Sequence, residues 1–381
     1  MIRELRLSPE LNIDMPYRHC EEQSDEAISN DFPMKRDCFV GLRPSRNDER
    51  ALDLGHGGNF LELCDYFKIS PEKAIDFSAS INPLGFPKGV ESFLAARLSQ
   101  IKHYPDIKNE KVLSSLSEYL NIPAGNILAG NGSMEILDWV LRTLKPESVK
   151  IVNPAFSEYR RLAENCGAKI TEAHESADLI FVAHPGNPMG NLLTSGEFKN
   201  LLNSCRWLVV DEAFVEFAGE EHSYVHEVLD FSRLIVIRSA TKFFSIPGLR
   251  LGYAVASEEM IASLRKFQLP WSINSLAQEA AAYIFSDTQF QNQSREFVAG
   301  ERAWLSQNLA LLGWIKTYPS SANYLLCEIK GDALELFHQL GAKGCFIRPC
   351  HNFAGLGARF FRVAVRTRKE NECLIEAMSK L

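Results

Sequence analysis

The sequence of 381 residues lacks a long apolar run, a basic stripe and any repeated or low-complexity segment. A membrane-spanning helix needs about 20 consecutive apolar residues, so we predict no contact with a membrane. The chain carries 41 Lys and Arg against 48 Asp and Glu, a formal net charge of -7, and we therefore predict no nucleic-acid partner. Hydrophobic residues make up 46% of the chain, which is ordinary for a globular protein with room for two domains.

Cysteine is present but shows no functional pattern. The nine cysteines are an odd number, are scattered along the chain and have no metal-ligand spacing. This usage predicts reduced thiols in a cytoplasmic protein, most of them small buried side chains, rather than a disulfide framework or a metal site.

Residues 1–50 differ from the rest of the chain because they are polar, mixed in charge and without a sustained hydrophobic period. They lack the basic start, apolar middle and small-residue cleavage site of a secretory signal. They resemble peptides translated from bacterial repeat elements or from a start codon placed too early. We predict a poorly ordered extension that folding and activity do not require.

From about residue 51 onward, helical and strand-like segments alternate, which is typical of an α/β architecture with a mostly parallel sheet. Near-continuous apolar runs indicate strands covered on both faces. The predicted strands are Val149–Val152, Leu179–Val182, Leu208–Val210, Leu234–Ile237 and Tyr253–Ala256, and the predicted helices are Met134–Thr143, Glu158–Cys166, Ser195–Ser204 and Glu258–Phe267.

The pattern changes towards the C-terminus. A long helical stretch over about 274–312 leads into two further strands, Asn323–Cys327 and Phe360–Val365, with the helix Ala333–Leu340 between them and a last helix over Lys369–Lys380. We predict a segment 51–85 that packs on a small domain, a large domain 86–285 and a small α+β domain 286–381.

Polar side chains follow three of the predicted strands. Lys242 comes after the apolar run 234–237, Asp211 follows 208–210, and Asn187 follows 179–182. Because ligands bind outside the carboxyl ends of parallel strands, an amine, a carboxylate and an amide converge there if the sheet is parallel. Each residue also has a structural interpretation: a solvated lysine in a loop, an aspartate that caps a turn, and an Asn-Pro turn.

The neighbourhood of Lys242 suits an aldehyde cofactor that carries a phosphate. The lysine amine can form a Schiff base, and Ser239, Thr241 and Arg250 can hold the phosphate. The segment 130–135, Gly-Asn-Gly-Ser-Met-Glu, opens a predicted helix whose first amides can also bind a phosphate. Glycine-rich helix starts are frequent, however, and Arg250 could be a surface charge.

Three motifs together resemble the fold type I, pyridoxal-phosphate-dependent aminotransferase superfamily. They are Asn187-Pro188-x-Gly190, Asp211-Glu212-Ala213-Phe214, and Ser239-x-Thr241-Lys242 with Arg250. The resemblance covers about residues 53–381 and implies a large domain with a mostly parallel seven-stranded sheet, a smaller α+β domain and the cofactor pyridoxal 5'-phosphate. Within the superfamily the chain is most similar to the L-threonine-O-3-phosphate decarboxylases, with the histidinol-phosphate aminotransferases as near relatives, in the segments 56–59, 76–85, 269–274 and 361–366.

The resemblance implies a role for each residue of the cofactor site. Lys242 forms the Schiff base and Asp211 pairs with the protonated pyridine nitrogen, so these two are the predicted catalytic residues. Asn187 binds the phenolic oxygen of the ring, and Phe156 stacks on the ring face. The predicted phosphate ligands are Gly132, Ser133, Met134, Ser239, Thr241 and Arg250. Tyr104 resembles the tyrosine that reaches the phosphate of a neighbouring subunit, which implies a homodimer; core or interface packing is the other interpretation of Phe156 and Tyr104.

Substrate anions require arginines, and Arg348 and Arg362 match the family pattern, although both could be ordinary surface residues. The resemblance adds His56, Asn82 and Asn187 at the substrate end. Histidinol-phosphate aminotransferases usually have Tyr where this chain has Phe214, as the decarboxylases do. Gly186 and Met189 depart from the family motif, which usually has Asn and Thr there, and Gly132-Ser133 departs from an acidic version.

The favoured prediction is decarboxylation of L-threonine O-3-phosphate to (R)-1-aminopropan-2-yl phosphate, the linker unit of cobalamin. The alternative is a histidinol-phosphate or related aminotransferase on the same fold. A third hypothesis is a non-catalytic protein that keeps the fold for binding. Lys242, Asp211, Asn187 and Arg250 argue against that third hypothesis.

Overall fold

The computed structural model describes Leu52, residues 54–171 and residues 176–381. The predicted extension 1–50 lies outside these residues. The strands are β1 Ile75–Asp76, β2 Ile127–Gly130, β3 Ser148–Ile151, β4 Lys169–Ile170, β5 Ala177–Ala183, β6 Cys205–Asp211, β7 Leu234–Ser239, β8 Gly252–Ala256, β9 Ile315–Thr317, β10 Tyr324–Ile329, β11 Cys345–Phe346, β12 Arg348–Pro349 and β13 Phe360–Ala364. The α-helices are α1 Phe60–Phe67, α2 Val90–Ala95, α3 Glu110–Leu120, α4 Ser133–Leu144, α5 Ser157–Asn165, α6 Ser195–Asn203, α7 Ala240–Phe243, α8 Glu258–Leu264, α9 Ser275–Ile284, α10 Thr288–Leu311, α11 Ala333–Gly341 and α12 Arg368–Ser379.

A seven-stranded sheet in the order β2-β8-β7-β6-β5-β3-β4 forms the centre of the fold. β8 runs antiparallel to both of its neighbours, and the other strand pairs are parallel. The sheet confirms the predicted α/β architecture and its mostly parallel seven-stranded sheet.

Both faces of this sheet are covered. Along β6, Leu208 and Val210 belong to one hydrophobic core and Val209 to the other, because successive side chains of a strand point to opposite faces. Helices α3, α6 and α9 contribute to the first core, and α4, α5 and α8 contribute to the second. This arrangement explains why the strands are apolar without alternation.

The C-terminal part contains a four-stranded antiparallel sheet in the order β12-β13-β10-β9. The N-terminal segment joins it: β1 pairs in parallel with β11, and the amide of Ala364 donates to the carbonyl of Phe77 at 2.8 Å. The described residues from Leu52 onward form one compact unit by their contacts. The division at residues 85 and 285 therefore stays a prediction.

Several elements differ from the predicted pattern. The predicted helical stretch 274–312 is two helices, because the carboxylate of Asp287 accepts the amide of Phe290 and starts α10 anew. Helices α1 and α3 and strand β2 were not predicted; β2 is only four residues long and its pairing with β8 is remote in sequence. No helix within the described ranges is long and apolar enough to cross a lipid bilayer.

A buried ion cluster lies where β6 and β7 end. The guanidinium of Arg238 is fully buried and pairs with Glu212 through Nε at 3.0 Å and with Glu220 through Nη2 at 2.7 Å. Glu216 is also fully buried, and desolvation raises its pKa to about 8. The single guanidinium of Arg238 is therefore the counter-charge of several carboxyl groups, and it stabilises the ends of β6 and β7.

We expect Arg238→Met to lower the free energy of unfolding by about 3–5 kcal/mol, because it leaves buried carboxylates without a counter-charge. Urea denaturation of the variant and of the unsubstituted protein measures this difference. Arg142→Met is the matched control: Arg142 pairs with Asp138 at 2.7 Å, but its side chain is 60% exposed. A control loss of less than about 1 kcal/mol is expected. Equal losses in the two variants would contradict the structural role of the cluster.

Candidate active site

A cavity of about 290 Å³ lies at the carboxyl edge of the large sheet. Strand β5 runs into Asn187, β6 ends at Asp211, and β7 leads into Lys242; all three residues line the cavity. The structure thus brings the predicted amide, carboxylate and amine together.

Lys242 lies in the single turn of helix α7, directly after β7. Desolvation and the positive charges of Arg362 and Arg250 lower the pKa of its amine to about 8. A lowered pKa leaves a larger neutral fraction near pH 7, and the neutral amine is the nucleophile that attacks an aldehyde.

Asn82 was predicted as a substrate contact, but it is not among the residues that line the cavity. Its side-chain amide donates to the carbonyl of Phe243 at 2.8 Å and to Ser294 Oγ at 2.9 Å, and its backbone amide donates to the carbonyl of Lys242 at 3.0 Å. These bonds occupy Asn82 in holding the turn that carries Lys242, so we do not retain it as a substrate contact.

Asp211 is buried and accepts a hydrogen bond on each oxygen. The amide of Ala213 donates to Oδ1 at 3.0 Å, and Tyr159 Oη donates to Oδ2 at 2.5 Å. Burial raises the pKa of the carboxyl, and the bond from Tyr159 acts in the opposite direction. A cationic group beside Asp211 would favour the carboxylate, as the protonated nitrogen of a pyridine ring does.

A cradle for a phosphate lies beside Lys242. The hydroxyls of Ser239 and Thr241 are 2.7 Å apart and line the cavity together with Ser133 and Met134 at the start of α4. The first amides of a helix attract an anion, and hydroxyls donate to it. Arg250 lines the same wall and adds a positive charge.

Gly132 does not line the cavity, but the cradle requires a glycine at this position. Its φ is +86°, and a Cβ atom there would lie 2.5 Å from Arg250 Nη2. The chain therefore turns into α4 in a conformation that other residues rarely adopt, and it leaves room for the guanidinium.

Arg362 and Arg348 also line the cavity. Arg362 donates from Nη1 to Asn187 Oδ1 at 2.6 Å and from Nη2 to the carbonyl of Ser78 at 2.9 Å. Its Nε is buried and has no hydrogen-bond partner among the described residues. Arg348 is anchored through Nη2 to the carbonyl of Gly55 at 2.7 Å. Both arginines are buried, which excludes the interpretation as ordinary surface charges.

His56 and Phe156 also line the cavity and contact each other, edge to face, with ring centroids 5.7 Å apart. His56 Nε2 lies 3.2 Å from Glu158 Oε1. Tyr104, by contrast, lies outside this cavity: its side chain is 79% exposed, and its ring packs against Trp271 at 4.6 Å.

The departure at Gly186 is accommodated locally. A Cβ atom on Gly186 would lie 2.5 Å from Asn191 Oδ1, so the side chain of Asn191 takes the space that a larger residue would need. Tyr324 Oη donates to the carbonyl of Gly186 at 2.7 Å. The loop is held by these groups, and Asn187 keeps its place in the cavity.

Sequence reasoning missed several polar groups of the cavity, among them Tyr159 and Ser80. Tyr159 follows Phe156 by three residues and so shares its face of α5, a spacing that could have indicated it. Ser80 lines the cavity with a buried hydroxyl that has no hydrogen-bond partner within the described ranges; it lies in segment 76–85, one of the segments that carry the family resemblance, and that position could have indicated it.

The lining residues fit pyridoxal 5'-phosphate. The amine of Lys242 can hold the aldehyde carbon, the buried Asp211 can face the ring nitrogen, and the cradle can take the phosphate. The side-chain amide of Asn187 accepts from Arg362 at its oxygen, which leaves its Nδ2 group to donate to the ring oxygen.

Comparisons with known proteins agree with this fit. The family Aminotransferase class I and II matches residues 72–378. Threonine-phosphate decarboxylase of Salmonella typhimurium is 36% identical over 346 residues, 85% of this chain and 95% of that protein. Adenosylcobalamin biosynthesis bifunctional protein CobDQ of Leptospira interrogans is 28% identical over 353 residues, 86% of this chain and 41% of that protein. The crystal structure of the histidinol-phosphate aminotransferase from Clostridium acetobutylicum has a TM-score of 0.75 at 29% identity and covers 80% of this chain and 98% of its own.

We expect Gly132→Ala to weaken the binding of pyridoxal 5'-phosphate by about tenfold or more, because the added methyl group displaces Arg250 from the cradle. Absorbance titration of the cofactor-free protein measures the dissociation constant. Gly167→Ala is the matched control: Gly167 has a φ of +84°, but a Cβ atom there meets nothing within 4 Å. It carries the same backbone strain without the clash and should bind the cofactor as the unsubstituted protein does. Equal weakening in both variants would contradict the role of Arg250.

Proposed function

The chain belongs to the class I and II aminotransferase family, and on that premise we propose that it is a pyridoxal-phosphate-dependent decarboxylase of L-threonine O-3-phosphate. The reaction releases CO₂ and yields (R)-1-aminopropan-2-yl phosphate, a unit used in cobalamin biosynthesis. The Salmonella relative supports the reaction, and the Leptospira relative supports the biosynthetic context.

The charge of the cavity carries this proposal. Among the described residues that line it, Lys242, Arg250, Arg348 and Arg362 are the Lys and Arg side chains and Asp211 is the one carboxylate. The whole chain has a formal net charge of -7, so this positive concentration is local. It suits a cofactor and a substrate that each carry a phosphate, together with the carboxylate of an amino acid.

The positions of these residues in the cavity support the proposed cofactor-binding roles. Lys242 holds the cofactor, Asp211 keeps its ring nitrogen protonated, Asn187 donates to the ring oxygen, and Phe156 covers a ring face. The start of α4 binds the phosphate together with Ser239, Thr241 and Arg250. When bound, pyridoxal phosphate supplies an electron sink for the electrons of the bond that breaks at Cα.

The substrate-binding residues decide which bond breaks. Arg348 and Arg362 bind the two anionic groups of threonine phosphate, and His56 adds a contact at the same end. By holding both anionic groups, this clamp would orient the substrate so that the Cα–CO₂⁻ bond is the one that the bound cofactor weakens. The amine of Lys242 would be the group that supplies the proton to Cα once CO₂ has left.

A histidinol-phosphate or related aminotransferase is the second candidate function, which the Clostridium acetobutylicum structure favours. Phe214 favours the decarboxylase. It lines the cavity and meets Tyr324 edge to face at 5.0 Å, and it has no hydroxyl to donate to the ring oxygen as the tyrosine of the aminotransferase motif does.

We expect the purified protein to release CO₂ from L-threonine O-3-phosphate without any 2-oxo acid, because decarboxylation needs no amino acceptor. Trapped ¹⁴CO₂ from carboxyl-labelled substrate measures the rate. Lys242→Ala is the control: it should reduce CO₂ release to the uncatalysed background and abolish the absorption band of lysine-bound cofactor.

Two other results would each replace the proposal. Amino transfer from glutamate to imidazole-acetol phosphate, without CO₂ release, would assign the aminotransferase function. Bound cofactor with turnover of neither substrate would assign a binding role.

A homodimer in the cytoplasm is part of the proposal. Exposed apolar side chains in segments 98–107 and 269–271, including Tyr104 and Trp271, support a self-association surface. None of the seven described cysteines forms a disulfide, which fits a reducing compartment. In this dimer Tyr104 reaches the phosphate of the neighbouring subunit, and the proposed domains are 86–285 and 286–381, with 51–85 packed on the latter.

We expect sedimentation equilibrium to give a mass of two 42.9 kDa chains. Tyr104→Phe should keep that mass but weaken cofactor binding several-fold, about 1 kcal/mol, because it removes one hydrogen bond to the phosphate. A monomer that binds the cofactor as tightly as its family relatives would contradict the shared site.

A further inference from the structure

We propose that Tyr159 is a positioning residue of the cofactor site, whose hydroxyl fixes the carboxylate of Asp211 towards the ring nitrogen. The inference deepens the proposed function and rests on it, since it assumes that pyridoxal phosphate occupies the cavity. Tyr159 acts through Asp211.

The position of the Tyr159 ring is closely determined. Tyr159 is the third residue of α5, is 1% exposed, and stacks on Phe181 of β5 with ring centroids 5.2 Å apart and planes 11° from parallel. From this position its hydroxyl donates to Asp211 Oδ2 at 2.5 Å. A ring held between a helix and a strand can place its hydroxyl with little freedom.

Asp211 is held from two sides as a result. Its Oδ1 accepts the backbone amide of Ala213 at 3.0 Å, while Oδ2 accepts the phenol. One donor on each oxygen prevents rotation of the carboxylate, and each oxygen keeps a further lone pair for a donor in the cavity. The charged groups that act on Asp211 from its own strand and from α7 are Glu212 and Lys242.

The same turn of α5 also positions Phe156, the residue proposed to cover the cofactor ring. Phe156 is the N-cap residue of α5, and its carbonyl accepts the amide of Tyr159 at 3.3 Å. The two rings meet edge to face with centroids 5.8 Å apart. The first turn of α5 therefore positions Phe156 directly. Through the hydroxyl of Tyr159, the same turn also positions the carboxylate of Asp211.

The hydroxyl has an electrostatic effect as well as a geometric one. Burial disfavours the charged form of Asp211, and a donated hydrogen bond favours it. Without the hydroxyl, the carboxylate is a weaker partner for a protonated ring nitrogen. The ring nitrogen then loses its proton more readily, and the electron sink weakens.

Tyr159→Phe tests this role, because it deletes one oxygen and keeps the ring that stacks on Phe181. We expect the dissociation constant of pyridoxal phosphate to rise by about tenfold, the loss of one hydrogen bond to a charged group. We also expect the pH titration of the bound cofactor's absorption to shift. Tyr224→Phe is the matched control, since Tyr224 is a buried tyrosine outside the cavity lining that is stacked on Phe198, and it should change neither value.

A double-mutant cycle separates a role through Asp211 from a packing effect. In an Asp211→Asn background, Tyr159→Phe should change cofactor affinity by less than about twofold, because the carboxylate on which it acts is gone. A tenfold loss that persists in that background overturns the proposal. An unchanged affinity and titration in Tyr159→Phe alone also overturn it.

Tyr159→His is the second variant and decides the matter if Tyr159→Phe does not fold. It places a group that titrates near neutral pH against Asp211, so the absorption of the bound cofactor should gain a pH-dependent transition that the unsubstituted protein lacks. Absence of that transition overturns the proposal. If the unsubstituted protein binds no cofactor at Lys242, the proposed function itself fails. If the unsubstituted protein and Tyr159→Phe bind the cofactor equally well and titrate alike, only the role of Tyr159 fails.

Discussion

The ion pair between Arg238 and Glu212 is the interaction on which the rest of the site depends. Arg238 precedes Ser239 at the end of β7, and Glu212 follows Asp211 at the end of β6. In a strand, neighbouring side chains point to opposite faces. The pair on one face therefore helps to fix where the side chains of Asp211 and Ser239 emerge on the other face. Burial is costly for a single charge, and the hydrogen bonds of Arg238 to Glu212 and Glu220 offset that cost and link the two strand ends.

The positive charge of the cavity connects binding to reactivity. Arg362 and Arg250 attract anions, and after desolvation, the largest cause, the same charges lower the pKa of the Lys242 amine. Asp211 is the lone described carboxylate of the lining and needs donors from Tyr159 and Ala213 because it is buried. The charges that would attract anions to the cavity thus also favour the neutral, reactive form of its lysine.

Helical and strand-like segments alternate along the chain, and this order was sufficient to predict the parallel strands and the side chains at their ends. Lys242, Asp211 and Asn187 could be assigned because each lies at the end of a strand or a few residues beyond it, and parallel strands end at the same edge of a sheet. Residues that reach the cavity from elsewhere were harder to assign. Asn82 matched a motif, yet its amide is occupied by the turn that carries Lys242. Tyr159 has no sequence signal beyond its three-residue spacing from Phe156, and its hydrogen bond to Asp211 shows what its hydroxyl contacts.

The sequence by itself determined the fold class, the cofactor chemistry and the strand-end residues, because hydrophobic periodicity and short motifs are local properties of the chain. The tertiary structure decided which polar groups meet. Arg362 lies 175 residues from Asn187 and Arg348 lies 293 residues from Gly55, and these bonds hold both arginines at the cavity. Pairings over such distances depend on how sheets and helices pack. That packing also decides whether an asparagine binds a ligand or holds a loop, and whether a tyrosine fills a core or aims a carboxylate.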